Sequence, residues 1–373
     1  MSTAIPTSTA ISGARRTVML PSPFMMRSGG VLQDAQIVCE TWGRLAADKS
    51  NVLLLFTGLS PSAHAASSPA DHTPGWWEEM LGPGKPLDTQ RFHVVCMNSI
   101  GSCFGSTGPA SINPGSGRPY ALDFPTLTVE DIASAAREAL RVMDIPRVHV
   151  VMGASLGGMS ALAYTLLFPG EADALVSISS ATHSEPFAIA VRSLQRELIR
   201  SDPAWQEGNY YPGEGPREGM RLARKLGMMS YRSAGEWVER FGRERANDDG
   251  GKPFGIEFEV ESYLESRARA FVGSFDPNSY LYLSRAMDLF DVAEHGGSVT
   301  KAFGRLKLKQ AQVIGVQSDM LFPVHQQREL ADALQAAGIP TRFEALASKQ
   351  GHDSFLVDMT RFRPVIGDFL AEI

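Results

Sequence analysis

Short, unbroken apolar runs recur along the chain at 52–56, 92–97, 148–152, 174–178, 313–316 and 342–346. Continuous Val, Leu and Ile, without polar alternation, is the pattern of strands buried on both faces of a parallel sheet. Between these runs the apolar positions take a helical spacing, at 128–142, 160–168, 324–337 and 360–373. The first of these opens on Thr128, a capping residue, with Glu130 and Asp131 where a helix N-terminus favours negative charge. Strand alternating with helix predicts a doubly wound, mostly parallel α/β sheet.

The rhythm breaks in the middle. No buried strand run occurs from 184 to 305, where helical spacing at 188–200, 219–229, 234–241 and 259–272 is punctuated by Pro and Gly. A polar stretch at 245–253, containing Asp248, Asp249, Gly250 and Gly251, reads as an exposed loop. The chain thus divides into a sheet core, 1–183 with 306–373, and a helical lid, 184–305, carried between its halves. Lids serve where reactants must be shielded from water, although a merely structural subdomain would have the same pattern. The Ser/Thr/Ala-rich start, Ser2 to Ser12, reads as a loose terminus.

Composition removes several alternatives. With 43% hydrophobic and 20% charged residues over 373 positions, the chain is of globular composition. A net charge of −6 without a basic block gives nucleic acid no electrostatic footprint. No apolar run approaches membrane-spanning length, and the first thirty residues have no signal-peptide core, so neither membrane nor export is expected. Three cysteines without a CxxC spacing read as reduced thiols in a cytoplasmic protein. No HxH, HExxH or CxxC cluster is present, so no metal cofactor is expected.

The strongest local signal lies at 148–158, where an apolar strand runs into Gly153-Ala154-Ser155-Leu156-Gly157 and then into helical spacing. G-x-S-x-G between a buried strand and a helix is the setting of a nucleophile elbow, in which the serine sits on a strained turn. A serine hydroxyl needs a base, and the base needs an orienting carboxylate. Asp319 follows the apolar run at 313–316, and His352 lies on the loop before the last helix. Both follow strand ends, and the order Ser, Asp, His is the one this architecture uses. For the oxyanion, the backbone N–H groups of Leu156 and Leu59 are the candidate donors, Leu59 lying in the loop after the strand at 52–56.

At these residues the chain resembles a known family. Thr57-Gly58-Leu59-Ser60-Pro61, Gly105-Ser106-Thr107-Gly108-Pro109, Gly351-His352-Asp353 and, in the lid, Arg192-Ser193-Leu194-Gln195 are similar to the homoserine and serine O-acyltransferases of the α/β-hydrolase superfamily. The likeness runs over nearly the whole chain and is nearest to the serine O-succinyltransferase branch, with an acetyl-using branch very close. Ala154 and Leu156 stand where many relatives have Asn and Met, a departure that bears on specificity more than on mechanism.

The resemblance implies an α/β-hydrolase fold and a ping-pong transfer, with acyl-CoA as a co-substrate, no cofactor, and a homodimer. Succinyl-CoA or acetyl-CoA would acylate Ser155, and the hydroxyl of L-serine or L-homoserine would then take the acyl group. It also implies Arg224 for the amino-acid carboxylate, Asp353 for its amine, Gly58 to Pro61 for amino-acid choice, and Arg192 for a succinyl carboxylate. Arg192 could instead pair with a lid acid such as Glu197 and say nothing of substrate. A serine hydrolase would carry the same triad, and serine and homoserine differ by one methylene, worth only about 1–3 kcal/mol in a pocket.

Overall fold

A computed structural model describes residues 15–246 and 253–373. The start at Ser2 to Ser12 and most of the polar loop at 245–253 lie outside the described residues. One eight-stranded sheet forms the centre, built from β1 (Arg15–Met19), β2 (Gln36–Trp42), β3 (Val52–Phe56), β4 (His93–Met97), β5 (Val148–Ala154), β6 (Ala172–Ile178), β7 (Gln310–Val316) and β8 (Thr341–Leu346). The strand order is β1-β2-β4-β3-β5-β6-β7-β8. The pairs β1–β2 and β2–β4 are antiparallel, and from β4 to β8 every pair is parallel.

The unbroken apolar runs have a simple cause. In β3, Val52, Leu54 and Phe56 belong to the core on one face, with Ile132, Met159 and Leu162. Leu53 and Leu55 belong to the core on the other, with Phe362, Ile366 and Phe369. Since side chains alternate across a strand, only an all-apolar strand can serve both layers. The helices α1 (Val129–Val142) and α2 (Leu156–Leu167) cover the first face. At the start of α1, Thr128 Oγ1 accepts from the Asp131 N–H at 3.2 Å, and the Asp131 carboxylate accepts from the Thr128 N–H at 2.8 Å. This reciprocal cap fixes where the helix begins.

Between β6 and β7 lie α3 (Pro186–Arg200), α4 (Arg217–Tyr231), α5 (Ala234–Phe241), α6 (Glu259–Phe271), α7 (Pro277–Leu289) and the short α8 (Val299–Phe303). The α3 and α4 helices are tied where Gln195 Nε2 donates to the Ala223 carbonyl at 3.0 Å. After α7 the chain returns to the sheet layer, where His295 Nε2 lies 2.9 Å from the buried Glu130 carboxylate of α1. The longer helices after β7 are α9 (Val324–Ala336) and α10 (Met359–Ala371).

Candidate active site

The site is built on the turn from β5 into α2. Ser155 has φ +56° and ψ −123°, a conformation that an L-residue adopts only under strain. The residues two positions to either side, Gly153 and Gly157, must be glycine for steric reasons. A Cβ on Gly153 would meet the Gly157 carbonyl carbon at 2.3 Å, and one on Gly157 would meet the Phe56 carbonyl oxygen at 2.5 Å. Bare backbone at both positions lets α2 close on the sheet, and the Ser155 N–H donates to the Ile178 carbonyl at 2.9 Å. The hydroxyl is therefore lifted from the carboxyl end of the central strands.

His352 comes to it on the loop after β8. Its Nε2 lies 2.9 Å from Ser155 Oγ, and its Nδ1 lies 2.7 Å from Asp319 Oδ2. Asp319 is itself fixed, since its Oδ1 accepts from the N–H groups of Leu321 and Phe322 at 2.9 and 3.0 Å. All three side chains are buried. The Phe322 ring stacks on the imidazole at 5.4 Å between centroids, which keeps water from that face. Burial disfavours the imidazolium, but the charge and hydrogen bond of Asp319 outweigh it, so the pKa of His352 lies above the usual histidine value. A group so placed can take the Ser155 proton and hold it as a buried cation.

Leu156 is the first residue of α2, directly after Ser155, so its N–H has no acceptor within the helix. Leu59 lies with Gly58, Ser60 and Pro61 on the wall of one cavity that also exposes Ser155 and His352. Arg192, Arg224 and Asp353 line the same cavity, so the sequence-derived set converges on one place, with Asp319 and Leu156 directly behind it.

Helix α4 and the loop after β8 bring opposite charges to this cavity. The Arg224 guanidinium lies over the Phe271 ring at 4.3 Å, and its buried Nε has no hydrogen-bond partner. Asp353 Oδ2 lies 3.4 Å from Arg232 Nε. Burial pushes the Asp353 pKa above the usual aspartate value against the pull of Arg232, His352 and Arg224. Arg192 is already engaged, with Nε 2.6 Å from Asp288 Oδ1 and Nη2 donating to Ser184 Oγ at 2.6 Å. The acid beside it is Asp288 of α7, not Glu197. Arg196 Nη2 lies 2.7 Å from the other Asp288 oxygen, so two guanidiniums share one carboxylate and a positive charge is left over.

Sequence reasoning assigned no role to Phe322, Tyr231, Tyr280 or Asp288. The Tyr231 ring lies 6.1 Å from that of His352, and Tyr280 is a buried part of the cavity wall that also holds Arg192 and Arg224. Tyr231 and Tyr280 fall within the part of the chain over which the family likeness runs, but no spacing marked them. Among the described residues, no three His, Cys, Asp or Glu side chains converge to hold a metal.

A strained elbow serine on a sheet of this strand order, with a buried acid–imidazole pair behind it, is the arrangement of α/β-hydrolase-fold enzymes. The α/β hydrolase fold family matches residues 51–358. Serine O-succinyltransferase of Litchfieldella anticariensis is 59% identical over 361 residues, 96% of this chain and 98% of its own. L-serine/homoserine O-acetyltransferase of Streptomyces lavendulae is 55% identical over 368 residues, 97% of this chain and 98% of its own. The crystal structure of homoserine O-acetyltransferase from Bacillus anthracis matches with a TM-score of 0.88 at 27% identity, covering 95% of this chain and 97% of that one. The chain belongs to the serine and homoserine O-acyltransferase family of the α/β-hydrolase fold.

Proposed function

We propose that this chain moves a succinyl group from succinyl-CoA to the hydroxyl of L-serine, giving O-succinyl-L-serine for cysteine biosynthesis. One observation carries the reading. The Ser155–His352–Asp319 line opens into a cavity whose wall offers both a cation, Arg224 from the helices between β6 and β7, and an anion, Asp353 from the loop after β8. Such a pair matches a zwitterion, and a simple esterase has no use for it.

In the first half-reaction Ser155 Oγ attacks the thioester carbonyl while His352 Nε2 takes its proton. The oxyanion is received by the N–H groups of Leu156 and Leu59. The C–S bond breaks, the departing thiolate takes the proton from His352, and CoA leaves. In the second half-reaction Arg224 holds the carboxylate of serine and Asp353 its ammonium. The serine hydroxyl gives its proton to His352 and attacks the acyl ester, and Ser155 leaves with the proton returned to it. No cofactor is needed for either step.

For the acyl group, the positive charge left over on the Arg192–Asp288–Arg196 cluster supports a succinyl carboxylate as its partner once water is excluded. The engagement of Arg192 by Asp288 and Ser184 favours a second reading, acetyl transfer, since an arginine already paired asks less of its substrate. L-homoserine is the alternative acceptor. A matrix of succinyl-CoA and acetyl-CoA against L-serine and L-homoserine, scored by kcat/KM, decides. The highest value is expected for succinyl-CoA with L-serine, and a higher value with acetyl-CoA would replace the donor assignment.

The reading includes a cytoplasmic homodimer. Three free cysteines support a reducing compartment. Phe187, Leu194 and Leu289, exposed on α3 and α7, support self-association. Light scattering on the purified protein tests the dimer.

A further inference from the structure

Arg224 and Asp353 line two clefts at once. One is the catalytic cavity; the other opens on its far side between α4, α5 and α6. Four guanidiniums reach this second cleft, from Arg224, Arg232, Arg240 and Arg267. Only Arg232 is neutralised, by Glu236 at 2.6 Å and Asp353 at 3.4 Å. Among the described residues Arg224, Arg240 and Arg267 make no ion pair. Three uncompensated cations around one opening are unexpected in a protein of net charge −6, because their mutual repulsion is unfavourable unless an anion joins them. Aromatic surface lies among them. Arg240 sits over the Tyr263 ring at 4.3 Å, Arg267 over the same ring at 5.6 Å, and Trp237 meets Tyr263 edge-on at 6.1 Å.

A polyanion with a flat heterocycle at one end and a thin neutral arm at the other fits these features. We propose that this cleft takes the nucleotide end of the acyl donor. The diphosphate and ribose phosphate of the CoA thioester meet Arg240 and Arg267, and its base lies against Trp237 and Tyr263. The thioester arm passes between Arg224 and Asp353 to reach Ser155. The inference rests on the acyl-CoA reading above and adds an entry route to it. The arm then crosses the place where the amino-acid zwitterion is held. Donor and acceptor exclude one another, and CoA must leave before serine enters, which is the physical ground for a ping-pong order in this chain.

The test compares acylation of Ser155 by two thioesters of the preferred acyl group, one of CoA and one of N-acetylcysteamine, which lacks the nucleotide. Both are followed by release of free thiol. The double variant Arg240→Ala/Arg267→Ala changes two exposed side chains. It is expected to raise KM for the CoA thioester on the order of tenfold or more, with kcat/KM for the short thioester unchanged. The wild-type KM for the CoA thioester should also rise with ionic strength, and the variant should lose that dependence. An equal effect on both thioesters, or no effect on either, overturns the proposal while leaving acyl transfer in place. A wild-type protein that is acylated by the short thioester but by no CoA thioester overturns the acyl-CoA reading itself.

Discussion

Arg192 and Asp288 form an ion pair that joins α3 to α7 at the wall of the active site, 2.6 Å from Nε to Oδ1, with side chains 6% and 9% exposed. A buried carboxylate that loses its partner is costly, typically about 3–5 kcal/mol, and Arg196 on the other oxygen offsets part of that here. Arg192→Asn should therefore lower thermal stability and, separately, change donor choice. If the guanidinium meets a succinyl carboxylate, the ratio of kcat/KM for succinyl-CoA to that for acetyl-CoA should fall roughly 30-fold or more. The ratio is the informative quantity, because loss of lid packing would lower both activities together. An unchanged ratio would reduce Arg192 to a brace between two helices.

The elbow glycines offer a steric prediction. A Cβ on Gly157 would sit 2.5 Å from the Phe56 carbonyl oxygen and 2.9 Å from that of Thr57, backbone atoms that cannot turn aside. Gly157→Ala should push α2 from the sheet and cost about 1–3 kcal/mol of stability. It should also displace the Leu156 N–H. Acyl-enzyme formation, read by intact mass after mixing with acyl-CoA alone, should fall by orders of magnitude. Ser155→Ala should abolish the adduct with the fold unchanged. Persistence of the adduct in Ser155→Ala would place the nucleophile elsewhere.

The parallel strands and the elbow were legible because one physical demand shaped each of them. Two-faced burial writes strands such as β3 as unbroken apolar runs, and the elbow needs glycine on both sides of its serine. Other features left no such mark. At the sheet edge, β1 buries only Val18 among Arg15–Met19, so its sequence reads as polar. Its neighbour β2 carries a buried carboxylate, Glu40, held by His64 Nδ1 at 2.8 Å, which breaks the apolar pattern. Helix α7 buries Asn278, Ser279 and Ser284 along with its apolar residues, which removes its amphipathic stripe. The partner of Arg192 lies 96 positions away and follows only from the docking of two helices.

The His352–Asp319 pair predicts the form of the pH profile. In the proposed mechanism acylation requires neutral His352, and its pKa is held above the ordinary 6.5. The value of kcat/KM for acyl-CoA should be low in acid, rise as pH passes through that raised pKa, and level off above it. Asp319→Asn removes the charge that outweighs burial, so the rise should move to a pH below 6.5. Because the imidazole also loses its orientation, kcat should drop on the order of 10⁴-fold. A pH midpoint that stays put in the variant would exclude Asp319 as the cause of the shift.

The last prediction separates the two halves of the reaction. The buried Nε of Arg224 has no partner, and the Asp353 carboxylate is held by Arg232 at 3.4 Å, so both can turn toward a zwitterion. In the proposed reaction Asp353 holds the amine as a carboxylate, and burial has raised its pKa, so acceptor affinity should weaken with falling pH from a point above the ordinary aspartate value of 3.8. Asp353→Asn removes that titration, while Arg224→Ala leaves the amino-acid carboxylate unpaired in a closed site. Both should raise KM for L-serine on the order of 10- to 100-fold. Acylation measured without amino acid at low salt and saturating donor should change far less, since the thioester arm carries no charge for either group to hold. Equal loss in both half-reactions would mean that these residues shape the lid, and the zwitterion would then have to bind elsewhere in the cavity.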